Sequence, residues 1–162
     1  EGRSGVTDGR IGGPFDIWML SPEIAGLIDK LGKKFRFNLS VDRRYIEISI
    51  LVTGAYWKSQ YEWYAHERMA RDAGVPDAMI QLIKEGNRPD FDDAGDAAAH
   101  DLAFELHRTH EVSDDTYAHA VTAFGEQGVA ELINLCGFYT MVSMSLNTFR
   151  IGLPEGAQLP FE

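Results

Sequence analysis

The chain has 162 residues, 44% hydrophobic and 11% aromatic, enough to bury a core of its own, and it reads as one soluble globular domain rather than a disordered segment. A formal net charge of −10 with no block of Lys and Arg argues against nucleic acid and anionic membrane as partners, because both require phosphates to be neutralised. A single cysteine, Cys136, excludes an internal disulfide framework and suits a cytoplasmic setting; no secretory apolar run is evident, and the start at Glu1 rather than Met is compatible with a leader removed ahead of it.

Residues 1–20 are glycine-rich (Gly2, Gly5, Gly9, Gly12, Gly13) and then aromatic (Phe15, Trp18), the pattern of an irregular N-terminal arm that packs on a neighbour. Ser21-Pro22-Glu23 combines an N-cap serine, proline at the first helical position and an early acid, and so begins a helix running to about Phe37. Ser40 or Asp42 caps a second helix from Arg43, charged at its start and apolar afterwards. A break or bend between Gly54 and Ser59 separates it from a third helix that continues to Gly74. Pro76 to Glu85, closed by Gly86, and Ala94 to His110 are the next two helices, divided by the loop 86–93. Ser113 caps a helix to about Phe124, and Glu126 to Ile151 forms a long final helix in which only Glu131 is charged between Gly128 and Phe149. A helix apolar on most sides is central to a core or shared with a partner subunit. Asn134, Thr140, Ser143, Ser145, Asn147 and Thr148 make it too polar for a membrane span. No repeat or alternating β-rich stretch emerges, so the expectation is an all-α domain over 21–151 with a C-terminal tail, 152–162.

Within the third helix, Glu62 and His66 stand four residues apart and share one face. Gln60, Glu67, Arg68, Arg71 and Asp72, with Tyr64, recur on the other side, which leaves Ser59, Glu62, Trp63, His66, Met69, Ala70 and Ala73 as the buried face. A carboxylate and an imidazole on a buried face must be paired or neutralised, and proton-transfer sites are built this way. The plainer alternative is a local hydrogen bond around a satisfied core histidine. Glu47, amid Ile46, Ile48, Ile50, Leu51 and Val52, also has two readings: a site residue, or a surface ion-pair partner of Arg43 or Arg44.

His100, His107 and His110 recur at spacings of seven and three, but this matches no recognised zinc signature and suits a helix C-terminal dipole, so no metal is expected. His119 reads as packing or surface, and Cys136 as a small buried hydrophobe. Phe15 and Trp18 read either as anchors of the arm or as walls of a pocket for a ring-shaped substrate.

The run from Asp42 to Gly74, with Tyr61-Glu-Trp-Tyr-Ala-His66 and the following Ala70-Arg-Asp-Ala-Gly-Val-Pro, resembles the carboxymuconolactone decarboxylase family, which includes the alkylhydroperoxidase D-like proteins. Glu126-Gln-Gly-Val-Ala-Glu-Leu-Ile-Asn-Leu-Cys-Gly-Phe-Tyr139 is similar to that family's closing helix, so the resemblance spans nearly all of Phe15 to Ile151. It implies an all-helical bundle of the alkylhydroperoxidase D-like fold that assembles as a homotrimer or homohexamer. The peroxidase branch places a Glu, two cysteines and a His where this chain has Glu47, Ser59, Glu62 and His66. Both cysteines are missing, and neither a serine hydroxyl nor a carboxylate replaces a thiolate in peroxide attack. The decarboxylase branch is the better match, since it too lacks the pair and carries Glu four residues before the His.

That resemblance implies a lyase that decarboxylates a small carboxylated lactone or related aromatic-breakdown product without a cofactor. The departing carboxylate leaves its electrons in a dienolate, which needs stabilisation of the oxyanion and a proton returned to carbon. His66 is the expected acid, with Glu62 or Glu47 setting its tautomer and basicity; Ser59, Trp63 and Trp18 are the expected substrate-binding residues. Arg43, Arg44, Lys58 or Arg68 are expected to supply local positive charge for a carboxylate substrate. An alkylhydroperoxidase-type oxidoreductase and a non-enzymatic helical binding or assembly protein are the alternatives.

Overall fold

The computed structural model describes residues 12–162, and every regular element among them is an α-helix. The order is α1 (Phe15–Trp18), α2 (Pro22–Phe37), α3 (Arg43–Tyr56), α4 (Gln60–Asp72), α5 (Asp77–Lys84), α6 (Ala94–Thr109) and α7 (Asp114–Phe149). Three starts follow from short polar side chains that satisfy otherwise orphaned backbone donors, whereas Ser21, at the N-cap position of α2, makes no side-chain cap bond. Asp42 accepts the Arg44 N–H, Asp93 that of Asp96 and Ser113 that of Thr116, each worth about 1 kcal/mol. Ser40, the other candidate for the cap of α3, instead gives both its N–H and its hydroxyl to Glu131, tying the α2–α3 loop to α7.

The long C-terminal run is two helices meeting at a kink. Gly125 has φ 67° and ψ 169°, backbone that only glycine adopts readily, so the division predicted between Phe124 and Glu126 is where the axis breaks.

Helix α3 is the centre of the bundle, buried from Ile46 through Gly54 and packed against α4, α5, α6 and α7. Because it is covered on all sides, its residues feed two apolar clusters. Ile46 and Ile50 join α1, α2 and α7, whereas Ile48, Leu51 and Val52 join Trp63 of α4 and the apolar faces of α5 and α6. Burying one such side chain stabilises the fold by roughly 1.5–3 kcal/mol.

Three expectations change on folding. The arm is not irregular throughout: residues 15–18 form α1, and Ile17 and Trp18 are buried in the chain's own core against α2 and α7. Gly2, Gly5 and Gly9 lie outside the described residues. The segment 152–162 has no helix, yet its end is docked. The Phe161 ring meets Trp63 edge-on at 5.3 Å, and the Gln60 side chain donates to the Phe161 carbonyl at 2.7 Å and accepts its N–H at 2.9 Å. The last part of α7 buries one face, including Leu132, Leu135, Tyr139, Val142 and Leu146, and leaves Ile133 and Met144 exposed. Among the described residues α7 alone is long and apolar enough to cross a membrane, and half of its apolar window is buried in the bundle.

Candidate functional site

The face predicted for α4 is the one the bundle covers: Ser59, Glu62, Trp63, His66 and Ala70 are buried. Met69, assigned to the same face, is instead partly exposed, although it lines the same cavity as Glu62 and His66. What covers His66 is α3 on one side and α7 on the other. Glu47 of α3 is 0% exposed, and its Oε2 lies 2.8 Å from His66 Nδ1. Glu62, one turn before His66, places Oε1 3.0 Å from Nε2. Arg43 pairs with the remaining oxygen of Glu47, so guanidinium, carboxylate, imidazole and carboxylate follow one another with alternating charge. The Arg43–Glu47 pair is therefore no routine helix-surface contact; it is the outer end of a buried chain.

Both ring nitrogens of His66 face carboxylate oxygens, which when ionised only accept hydrogen bonds, so both nitrogens carry a proton and the ring is an imidazolium. Burial opposes that charge and is the largest influence on it. Hydrogen bonds from Glu47 and Glu62 together outweigh burial and raise the His66 pKa to about 9. The Tyr139 ring of α7 stands edge-on to the imidazole, with centroids 4.9 Å apart. Burial pushes its phenol above the ordinary range, so it stays protonated.

Glu62 and His66 form part of the wall of a cavity of about 200 Å³. Its remaining lining is largely aromatic and apolar, from Phe15, Trp18, Tyr61, Phe138 and Tyr139, with Gly32 and Arg36 of α2. A dry cavity of about 150 Å³ accommodates benzene, so this one holds a single substituted ring. Trp18 is thus in the wall, although its indole N–H is buried with no partner. Gly13, with φ +62°, lies beneath the Tyr61 ring where a Cβ would approach to 2.8 Å, which lets the chain entering α1 close over the cavity.

Ser59 and Trp63 do not line this cavity. Ser59 is wholly buried at the start of α4 with an unpartnered hydroxyl, and Trp63 points into the second apolar cluster against Phe161. Of the cations named from the sequence, none lines it either. Arg43 is held by Glu47, Arg44 by Asp96 and Arg68 by Asp72, and Lys58 lines a different cavity. The cation that does line it is Arg36, missed because α2 is distant in sequence from α4. Its position in the last turn of an amphipathic helix looks like an ordinary dipole partner.

A second cavity, about 220 Å³, opens among the C-terminal ends of α3, α5 and α6 and includes His100 and His107. His100 is held by Asp101 at 2.8 Å, and His107 Nε2 lies 2.9 Å from the Thr53 hydroxyl. No group of three metal-ligating side chains occurs among the described residues. Neither a set of protein-family models nor the curated proteins contain a match to this chain.

Proposed function

We propose that the chain is a carboxymuconolactone decarboxylase-like lyase of the alkylhydroperoxidase D-like fold, which removes CO₂ from a small carboxylated lactone or related aromatic-breakdown product. The observation that carries this reading is an imidazolium held between two carboxylates in the wall of a cavity sized for one ring. The carbon–carboxylate bond breaks, its electron pair moves through the ring to the lactone carbonyl, and CO₂ departs. A proton from the His66–Glu62 pair then returns to the ring carbon, so that one proton is taken up for each CO₂ released. Glu47 keeps the imidazole charged and oriented, and Arg43 compensates the second carboxylate. Because both His66 nitrogens are engaged, Glu62 is the group through which the proton reaches the cavity.

A thiol peroxidase has less to work with. Cys136 is buried, and burial pushes its thiol up to about 11, away from the reactive thiolate. Self-association as a homotrimer or homohexamer is part of the proposal. Ile24, Leu27 and Leu31 form an exposed apolar stripe on α2, and Ile133 and Met144 another on α7, surfaces that suit burial against further copies. A concentration-independent monomer in analytical ultracentrifugation overturns that part.

The experiment is CO₂ release from carboxylated lactones in D₂O, with deuterium located in the product. His66→Ala lowers kcat by roughly 10²–10⁴ with a smaller effect on KM. Activity untouched by that substitution rejects the role of His66, and no CO₂ release from any such compound favours the binding or assembly alternative.

A further inference from the structure

The imidazolium and its carboxylates account for the proton, but they leave two demands of the proposed chemistry unmet: a donor for the developing oxyanion and a cation for a bound carboxylate. We propose that Tyr139 and Arg36 meet them, Tyr139 as the hydrogen-bond donor to the carbonyl oxygen that becomes the enolate, and Arg36 as the anchor of a carboxylate the substrate retains. This inference rests on the lyase reading of the same cavity.

Tyr139 is 4% exposed and lines the cavity, yet its hydroxyl has no hydrogen-bond partner among the described residues. Its oxygen is not fully enclosed, unlike the unpartnered Trp18 indole and Ser59 hydroxyl, so its donor is open to a ligand in the cavity. A ligand oxygen takes up that donor when it binds. The edge-on contact with His66 sets the phenol beside the proton source, so one ring of substrate meets the donor and the acid together. Burial keeps the phenol protonated, and a fixed neutral donor in a largely apolar cavity stabilises developing negative charge.

Arg36 is half-buried in the same wall and makes no ion pair among the described residues. Its Nε donates a long bond of 3.3 Å to the Gly32 carbonyl within its own helix, and its guanidinium carbon lies 5.6 Å from the Phe37 ring centroid. By contrast Asp29, the acid of α2 on the same cavity, is already matched by Lys33 at 2.7 Å. The uncommitted charge of α2 at the cavity is thus positive, in a chain whose net charge is −10. A guanidinium presents paired donors that match a carboxylate. It must hold one that stays on the ring, because stabilising the departing carboxylate would favour the ground state over the transition state.

The test uses 4-hydroxy-3-nitrobenzoate, a single ring that carries a carboxylate and a chromogenic phenolate, titrated into the full chain. Wild type binds saturably with a shift of the phenolate absorption band. Tyr139→Phe abolishes that shift, weakens binding about tenfold or more and leaves Tm unchanged, since the hydroxyl it removes has no partner in the fold. Arg36→Met weakens the nitrobenzoate by a similar factor but leaves 2-nitrophenol, which lacks the carboxylate, unaffected. With a decarboxylated substrate, Tyr139→Phe lowers kcat by roughly 10²–10³. No saturable binding to wild type, or variants that bind both probes as wild type does, overturns the assignment. Absence of CO₂ release with the probe results intact removes the lyase reading alone and upholds Tyr139 and Arg36 as an oxyanion and carboxylate site.

Discussion

The two cavities are nearly equal in volume, about 200 and 220 Å³, and each presents a buried or half-buried histidine, yet the two imidazoles are driven in opposite directions. His66 is held between Glu47 and Glu62 and is raised to about 9. His107 faces the Thr53 hydroxyl, and burial, aided by His110, lowers it. Thr53 already donates to the Ser49 carbonyl at 2.9 Å, so His107 Nε2–H is the donor to Thr53 and Nδ1 is the unprotonated nitrogen of a neutral ring. Burial alone discharges a histidine, and it takes two carboxylates at hydrogen-bond distance to reverse that. Of these two imidazoles, only His66 is doubly protonated at neutral pH.

Breaking the carboxylate pair is the most severe way to erase this difference. Glu47→Ala strips His66 Nδ1 and Arg43 of their shared partner and should cost about 3–5 kcal/mol in urea unfolding, while moving the His66 titration downward toward that of His107. Unchanged stability and an unchanged His66 titration would show that Glu47 does not hold the charge.

Next in size is the pH dependence. The folded pKa of His66 lies above its unfolded value of about 6.5, so the folded state binds the extra proton between these values. Its stabilisation is complete below pH 6.5 and is lost as the pH rises through about 9, a loss of about 3 kcal/mol relative to His66→Gln. Denaturant titrations of both proteins at pH 6 and pH 10 measure it.

For His107 the sign is reversed. Its folded pKa is depressed, so its contribution is present above the unfolded value and declines as the pH falls below it. Resolved ring-proton NMR titrations should show His66 losing its proton on the alkaline side and His107 gaining one only on the acid side of an ordinary histidine. Coincident titrations would contradict the comparison. The smallest effect belongs to Thr53→Val, which removes the hydroxyl facing His107 at a cost of about 1 kcal/mol and should leave the His66 titration in place.

Much of the helical frame was legible in the residues themselves because its signals are local. Ser21-Pro22, Asp42 and Ser113 mark helix starts, Gly125 divides the last run, and the spacing from Ser59 to Ala70 marks the covered face of α4. The Glu62–His66 contact was legible for the same reason, since four residues are one helical turn. The Glu47–His66 bond spans nineteen residues, and sequence left Glu47 divided between a surface ion pair and a site.

What the sequence by itself determined was the helices from α2 onward, their approximate ends and the face of α4 that turns inward, all consequences of backbone hydrogen bonding and 3.6-residue periodicity. Tertiary packing alone decided which groups meet across helices. It brought Arg36 of α2 and Tyr139 of α7 to the His66 cavity, sent Trp63 away from it to Phe161, and packed α1 and Phe161 of the tail onto the bundle. Burial and charge pairing depend on neighbours distant along the chain, and so no pattern within a single helix discloses them.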